Sequence, residues 1–200
     1  MDLGATETKE SIHLFREFSS DPFHGKLYIA DALDLINSQN DESVDLIFLD
    51  PPFNLGKKYS NEHPNLDSRD ISEYEKWMYS IIGACSRILS DGGALYLYHL
   101  PQWAIKFANR LDEELNFRHW IAIAMKNGFV RGNNLYPAHY ALLYFTKGNP
   151  KIFHRPRIEP TTCRICGATI KDYGGYRSII EKKGINLSDF WEDLSPVRHR

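Results

Sequence analysis

Four consecutive residues, Asp50-Pro51-Pro52-Phe53, combine groups that can act together on an amine. The two prolines fix the backbone and lack N–H donors, so their carbonyl oxygens are held pointing outward. The Asp50 carboxylate and the Pro51 carbonyl can both accept hydrogen bonds from an exocyclic NH2 group, while Phe53 can stack on the plane of a base. Such positioning aligns the amine lone pair with an electrophilic methyl group and favours an in-line transfer.

The position of this tetrapeptide favours chemistry over a simple turn. Asp-Pro and Pro-Pro pairs are common in turns, and composition alone favours that interpretation. However, the tetrapeptide directly follows VDLIFL, an apolar run typical of a buried parallel strand. Because open α/β sheets bind ligands at the carboxyl ends of their strands, this position predicts a ligand-binding site.

Alternating strand and helix patterns surround this strand. KLYIA predicts a strand and ALDLINSQ an amphipathic helix, so these segments and VDLIFLD form a predicted βαβ unit. Helical spacing over 70–90 follows, opened by a capping box of Asp70 and Glu73. The strand ALYLYHL, a helix opened by Pro101, and the strands WIAIAM and HYALLYF come next. This order predicts an open, doubly wound α/β sheet.

Both ends of the chain lack this periodicity. The sequence predicts an extension or a peripheral helix over residues 1–25 and the α/β core over residues 26–147. It predicts a small irregular segment over residues 148–200. Residues 1–146 contain 13 Lys and Arg against 20 Asp and Glu, whereas residues 147–200 contain 11 against 6. A basic segment on an acidic body indicates a face that meets a polyanion, and a solvated tail is the alternative.

Composition also excludes several classes of protein. No apolar run reaches the roughly 18 to 20 residues of a membrane span, and the N-terminus lacks the basic-then-apolar order of a signal peptide. Three cysteines do not make a disulfide framework, so a cytoplasmic location is expected. Cys163 and Cys166 have the spacing of half a zinc knuckle, but only two ligands are evident, so no metal is predicted.

The motif and its flanks resemble the beta group of DNA amino-methyltransferases. LYIADALDLI followed by SVDLIFLDPPFN resembles that family's strand–helix–strand lead-in, and SDGGALYLY, the strand beginning at Trp120 and PAHYALLYFTKG resemble its later motifs. KDYGGYRSII, INLSDFWEDL and SPVRHR resemble its target-recognition segment. The resemblance runs from about Lys26 to the C-terminus. It implies a class I, Rossmann-like S-adenosylmethionine-dependent methyltransferase fold with permuted motif order and a target-recognition segment over 148–200.

The resemblance implies site-specific methyl transfer from S-adenosylmethionine to the exocyclic amine of a flipped base in double-stranded DNA. Asp50, Pro51, Pro52 and Phe53 are then the catalytic residues. Asp31, Asp50 and Pro51 are implied to border the cofactor, with Asp31 contacting its adenine. Asp31 can also cap a helix, and it can serve both roles.

The first residue of the motif bears on the target base. Family members with Asp first mostly modify adenine N6, and those with Ser first mostly modify cytosine N4. Asp50 therefore favours adenine, with cytosine as the alternative. A cognate restriction endonuclease is a further implied partner.

Three segments offer side chains that can contact DNA. One is the loop directly after the motif, one is a Gly- and Asn-rich loop before the last predicted strand, and one is the basic segment after Gly148. Solvated loop residues are the alternative interpretation. The candidates are Lys57, Lys58, Tyr59, Arg131, Asn133, Asn134, Arg155 and Arg157.

The sequence contains no G-x-G, although the resembled family uses an F-x-G-x-G-like turn to cradle the methionine part of the cofactor. In that family the turn follows the recognition segment. The expectation is therefore the front of a longer enzyme, a subunit of a split enzyme whose second polypeptide supplies the loop, or a shortened remnant. A DNA-binding module without turnover is the competing function, and the intact Asp50–Phe53 motif favours the enzyme.

Overall fold

The computed structural model describes residues 12–56, 67–125, 132–133, 135, 137–160, 162–163, 165–168, 174–192 and 194. The helices of these ranges are α1 (Ala32–Asn37), α2 (Ile71–Ile88), α3 (Pro101–Asp112) and α4 (Arg177–Lys183). Their strands are β1 (His13–Ser20), β2 (Phe23–Ile29), β3 (Val44–Leu49), β4 (Leu89–His99), β5 (Asn116–Ala124), β6 (His139–Thr146), β7 (Arg157–Ile158), β8 (Ile185–Asn186) and β9 (Phe190–Trp191).

The central sheet has the strand order β3-β4-β6-β5-β9 and is mixed. β3 runs parallel to β4, with Leu49 opposite Leu97. β6 runs antiparallel to β4, with Ala141 opposite His99. The carboxyl ends of β3 and β4 and the start of β6 therefore lie at the same edge of the sheet. We call it the carboxyl edge, and Asp50 lies there.

Helices α2 and α3 form where spacing and caps predict them. The Asp70 carboxylate caps α2 by accepting hydrogen bonds from the N–H groups of Ser72 at 2.8 Å and Glu73 at 3.4 Å. Pro101 opens α3, where its missing N–H costs no helix hydrogen bond. Each helix buries an apolar stripe. The buried apolar residues are Tyr74, Met78, Ile81, Ile82, Cys85 and Ile88 on α2, and Trp103, Ala104, Phe107 and Leu111 on α3.

The two stripes pack against one face of the central sheet. Leu95 and Leu97 of β4 and Leu143 of β6 are buried in the same cluster as the helix residues. On the opposite face Tyr96 stacks on Tyr144, with ring centroids 4.7 Å apart. Side chains thus alternate between two faces along each strand. The predicted α/β class is confirmed, with a mixed sheet.

The N-terminal strands differ from the prediction. The sequence predicts a βαβ unit that joins KLYIA to β3, with an extension or a helix before residue 26. Instead, β1 and β2 form an antiparallel hairpin in a sheet of their own. Only Asp21 and Pro22 separate these strands, and a two-residue connection permits antiparallel pairing but not parallel pairing. The predicted βαβ unit is therefore wrong, because β2 takes its backbone partners from its neighbour in sequence.

The segment after Gly148 contains more regular structure than its composition indicates. β7 pairs with β8, and β9 joins the central sheet by pairing in parallel with β5. Trp191 of β9 packs against the cluster formed by Ile121, Leu142 and Tyr144. These strands are two residues long, which is too short for an alternating pattern to reveal them.

Among the described helices, none has the length and the apolar composition needed to cross a membrane.

The packing of α3 predicts a contrast between two of its aliphatic residues. Leu111 is fully buried, whereas Ile105 is 63% exposed. Leu111→Ala should lower the free energy of unfolding by about 2–5 kcal/mol, because it leaves a cavity in the core. Ile105→Ala should change it by about 0.5 kcal/mol or less. Urea unfolding followed by circular dichroism measures both values, and equal losses would contradict this packing.

Candidate active site

The Asp50 carboxylate lies at the carboxyl edge, directly after β3. The residue is exposed to solvent, but partial burial of its carboxyl group raises the pKa of that group. Within the described residues, neither a hydrogen bond nor an ion pair of Asp50 offsets this effect. Asp50 is therefore an acceptor that is available to a ligand at this edge.

Phe53 packs into a group of aromatic side chains at the same edge. Its ring centroid lies 5.0 Å from that of His99, 5.7 Å from that of Tyr98 and 5.8 Å from that of Tyr140. Burial raises the pKa of Tyr98, and the nearby Tyr140 and the Asp50 carboxylate add to the shift. The half-buried Phe53 ring is thus held by the end of β4 and the start of β6, close to Asp50.

The backbone of the motif is tied to the core through Pro52. The Pro52 carbonyl accepts a hydrogen bond from Tyr74 Oη at 2.5 Å, and Tyr74 Oη lies 2.7 Å from His99 Nε2. His99 Nδ1 accepts a hydrogen bond from the N–H of Leu100 at 2.8 Å. Tyr74 and His99 are both buried, and burial lowers the pKa of His99 to about 4. We call these groups the Tyr74–His99 chain.

The residues after Phe53 are held by Asp67, which is buried. Its carboxylate accepts hydrogen bonds from the N–H groups of Asn54 at 2.6 Å and Leu55 at 3.1 Å. Its carbonyl accepts one from the N–H of Gly56 at 2.7 Å. Asn54 has a φ of 55°, a left-handed conformation that Asn tolerates, and its side chain exchanges two hydrogen bonds with the backbone of Arg69. The exit from the motif is therefore fixed.

Asp31 serves as the N-cap of α1. Its carboxylate accepts a hydrogen bond from the N–H of Leu33 at 2.8 Å, and the residue is exposed. The predicted helix-capping role is confirmed. Its role in binding the cofactor stays a prediction.

Three of the predicted DNA-contacting residues lie within the described part of the chain. Asn133 and Arg155 are exposed, and Arg157 lies in β7, where its guanidinium donates to the carbonyl of Gly184 at 3.1 Å. These residues are accessible to a polyanion, although one arginine is partly engaged. The remaining candidates, Lys57, Lys58, Tyr59, Arg131 and Asn134, lie outside the described residues.

Cys163 and Cys166 flank a tight turn. The Gly167 N–H donates to the Cys163 carbonyl at 2.8 Å. Backbone N–H groups of Cys166 and Ile165 directed at the Cys163 sulfur lower the pKa of that thiol. In the described part of the chain, no group of three or more His, Cys, Asp or Glu side chains is arranged to hold a metal ion.

Comparison with known proteins identifies the family of this chain. A family model described as DNA methylase, of the N6 and N4 type, matches residues 44–200, which include β3, the Asp50–Phe53 motif and the rest of the central sheet. The chain belongs to this DNA methylase family. The predicted resemblance to the amino-methyltransferases is thereby confirmed, and S-adenosylmethionine is the cofactor of the family.

This DNA methylase is 46% identical over 202 residues to the type II methyltransferase M.BamHI of Bacillus amyloliquefaciens, with 96% of this chain and 47% of the relative covered. It is 28% identical over 170 residues to the type II methyltransferase M.HpaI of Haemophilus parainfluenzae, with 84% and 50% covered. The chain thus spans about half the length of the curated relatives it matches.

A solved structure of the PvuII DNA methyltransferase, described as cytosine-N4-specific, is similar in fold. Its TM-score is 0.50 at 21% sequence identity, with 64% of this chain and 51% of that chain covered. At this identity the similarity shows the shared fold alone.

Sequence reasoning missed four groups of the site: Tyr74, His99, Asp67 and Tyr98. Tyr74 fits the apolar stripe of α2, and Asp67 stands in a polar loop without a distinguishing pattern. A usable signal existed for Tyr98 and His99. They end the strand next to β3, and side chains at the carboxyl ends of neighbouring parallel strands meet at one edge.

The buried imidazole of His99 makes stability depend on pH. Its pKa is about 4 in the folded protein, against an ordinary value of 6.5, so the unfolded chain takes up the proton first as the pH falls. The neutral ring makes its full contribution to stability above pH 6.5, the pKa of the unfolded chain. This contribution is lost as the pH falls from about 6.5 to about 4, the pKa of the folded protein. This group alone should lower the free energy of unfolding by about 2 kcal/mol between about pH 7.5 and about pH 5.

Urea unfolding at several pH values, compared with His99→Gln, isolates this contribution. The two proteins share the seven other histidines, so a difference between their pH profiles comes from position 99. Among the described residues, the polar groups around the ring are Tyr74 Oη, the Leu100 N–H and the Asp67 carboxylate, whose charge opposes the shift in part. Parallel pH profiles for the two proteins would show that His99 does not titrate in this way.

Proposed function

We propose that this chain carries the part of a DNA amino-methyltransferase that binds the target base and positions its amine, in an enzyme that transfers a methyl group from S-adenosylmethionine to the exocyclic amine of a base flipped out of double-stranded DNA. One observation carries the proposal. The Asp50–Phe53 motif follows β3 at the carboxyl edge, its backbone is held from behind by Tyr74, and the Asp50 carboxylate remains available to a ligand.

The contacts of the motif support a proposed role for its residues. The Asp50 carboxylate and the Pro51 carbonyl accept hydrogen bonds from the amine, while the Pro52 carbonyl accepts one from Tyr74. Phe53, held by the surrounding rings, stacks on the base. The raised pKa of Asp50 also suits its carboxylate to take up the proton that the amine loses. Placement of the amine is the main contribution of these groups to the rate.

Asp31 and the backbone around Asp50 and Pro51 are the proposed contacts to the cofactor. When bound, S-adenosylmethionine supplies the electrophilic methyl group. One oxygen of Asp31 caps α1, and in the described residues its second oxygen has no hydrogen bond, so an exposed acceptor remains. An acceptor of this kind fits the polar hydrogens of the adenosine part.

Two bases fit the proposed chemistry. Asp as the first residue of the motif favours adenine N6, which is the first candidate. Cytosine N4 is the second, because the matching family model covers methylases of both the N6 and the N4 type. Both amines are exocyclic and present two hydrogens to the same pair of acceptors. Digestion of the methylated DNA followed by mass spectrometry distinguishes N6-methyladenine from N4-methylcytosine.

Further partners follow from the family. Because M.BamHI is a type II methyltransferase, we propose a cognate restriction endonuclease beside this protein. A second polypeptide that supplies the glycine loop and a cytoplasmic location also stay predictions. A DNA-binding module without turnover is the competing function. It would have no use for an available Asp50 carboxylate beside a fixed double proline.

Asp50→Ala tests the proposed reaction. The substitution removes one of the two amine acceptors, so methyl transfer should fall by about two to three orders of magnitude or more, as expected when a preorganised acceptor is removed. DNA binding should stay within about two-fold, because the amine acceptors act on the transition state rather than on the phosphate backbone. Transfer of tritiated methyl groups to unmethylated DNA of many sequences, with any polypeptide that supplies the glycine loop present, measures the rate.

Asp112→Ala is the matched control, since Asp112 is exposed at the end of α3. It should transfer methyl groups at the unaltered rate. Activity of Asp50→Ala within a few-fold of the control would refute the assignment of Asp50. Absence of transfer by every form, with DNA binding intact, would favour the binding module.

Arg155→Gln combined with Arg157→Gln tests the DNA-facing role of the segment after Gly148. Binding should weaken, and the slope of log K against log salt should drop by about one for each phosphate that the protein no longer neutralises. Arg155 should contribute more to DNA binding than Arg157, because the Arg157 guanidinium is partly engaged by the Gly184 carbonyl. A charge-matched control is Arg16→Gln with Lys26→Gln on the β1–β2 hairpin. Fluorescence anisotropy over a salt series measures both slopes, and identical slopes would place the arginines away from DNA.

A further inference from the structure

The Tyr74–His99 chain lies directly behind the proposed catalytic motif. It joins three separate elements: Tyr74 comes from α2, His99 from the end of β4, and Pro52 from the loop after β3. The links are 2.8 Å from the Leu100 N–H to His99 Nδ1, 2.7 Å between His99 Nε2 and Tyr74 Oη, and 2.5 Å from Tyr74 Oη to the Pro52 carbonyl. Tyr74 is 2% exposed and His99 is fully buried, so solvent does not replace these links.

In the Tyr74–His99 chain, the donor and acceptor properties of the groups determine the direction of every hydrogen bond. The Leu100 N–H can only donate, so His99 Nδ1 must be the unprotonated nitrogen. The neutral ring therefore carries its proton on Nε2 and donates it to Tyr74 Oη. The tyrosine hydroxyl then has its own hydrogen available for the Pro52 carbonyl, which can only accept. Each group is satisfied, and each has one possible orientation.

The motif needs such support because its two prolines cannot donate. Backbone segments are usually held through both their N–H and their C=O groups, but Pro51 and Pro52 have no N–H. Within the double proline, the carbonyl oxygens are the only backbone groups that can form a hydrogen bond. Tyr74 occupies the carbonyl of Pro52, which leaves the Pro51 carbonyl and the Asp50 carboxylate for the amine.

We propose that Tyr74 and His99 are positioning residues for methyl transfer: they fix the Pro52 carbonyl and thereby the orientation of the two amine acceptors at Asp50 and Pro51. This inference rests on the proposed methyltransferase function. His99 holds the Tyr74 hydroxyl in the one rotation that reaches Pro52, and Tyr74 holds the motif. Neither residue contacts the base in this scheme, so their effect is on the rate rather than on substrate affinity.

Tyr74→Phe is the first test, because it removes one oxygen and keeps the ring that packs edge-on against Trp103. In the protein that transfers methyl groups, kcat should fall by about ten-fold to one hundred-fold, the size of effect that misplacement of reacting groups produces. The KM for DNA and for S-adenosylmethionine should stay within about two-fold. Tyr79→Phe is the matched control, since Tyr79 lies on the same helix and donates to Glu75 at 3.0 Å. It should leave kcat and KM unchanged.

Substitutions of His99 separate positioning from packing. Gln can still donate to the Tyr74 hydroxyl, whereas Leu fills a similar volume and cannot donate. His99→Gln should retain kcat at least about five-fold above that of His99→Leu, with equal circular dichroism spectra. Equal kcat values for these two variants, or a Tyr74→Phe kcat within two-fold of the control, would overturn the proposal.

Nitrogen-15 NMR of the imidazole provides a readout that does not depend on activity. The ring of His99 should be the neutral tautomer with its proton on Nε2, and Tyr74→Phe should move the Pro52 carbonyl carbon resonance upfield while Tyr79→Phe leaves it in place. A proton on Nδ1 would overturn the inference.

If these signals are as expected but Asp50→Ala retains activity, the proposed function fails and the inference fails with it. If Asp50→Ala is inactive and Tyr74→Phe is fully active, the inference fails alone.

Discussion

Two consecutive prolines directly after β3 provide no backbone N–H groups by which this segment could be held. The arrangement of the site follows from this constraint. Tyr74 binds the Pro52 carbonyl from one side, and the buried Asp67 carboxylate binds the N–H groups of Asn54 and Leu55 that follow the motif. With the Pro52 carbonyl bonded to Tyr74, the Asp50 carboxylate and the Pro51 carbonyl are the acceptors proposed for a ligand.

The mixed sheet assembles the rest of the site from distant parts of the chain. Parallel pairing of β3 with β4 brings Asp50 close to Tyr98 and His99, and antiparallel β6 returns Tyr140 to the same edge. Aromatic rings from both neighbouring strands thereby surround Phe53. Because α2 packs with α3 against one face of this sheet and carries Tyr74, the site is tied to the main hydrophobic core of the described residues.

His99 connects the stability of the fold to the geometry of the motif. Its burial would be costly without partners, and the Leu100 N–H and the Tyr74 hydroxyl provide one for each ring nitrogen. Protonation of Nδ1 would place its N–H against the N–H of Leu100. The backbone at this position therefore favours the neutral ring. The same bonds that stabilise the buried ring therefore orient the hydroxyl that holds Pro52.

The sequence by itself determined the features that are local. Apolar periodicity and caps such as Asp70 and Pro101 located α2, α3 and the strands of the central sheet, because these signals lie within a few residues of what they specify. The Asp50–Phe53 motif and its flanks likewise identified the family. Only the tertiary structure decided that β2 pairs with β1, that β9 joins the central sheet, and what the site residues contact. Tyr74 illustrates the reason: its spacing marks it as one apolar residue of a helix, and its role arises only where α2 meets the ends of β3 and β4.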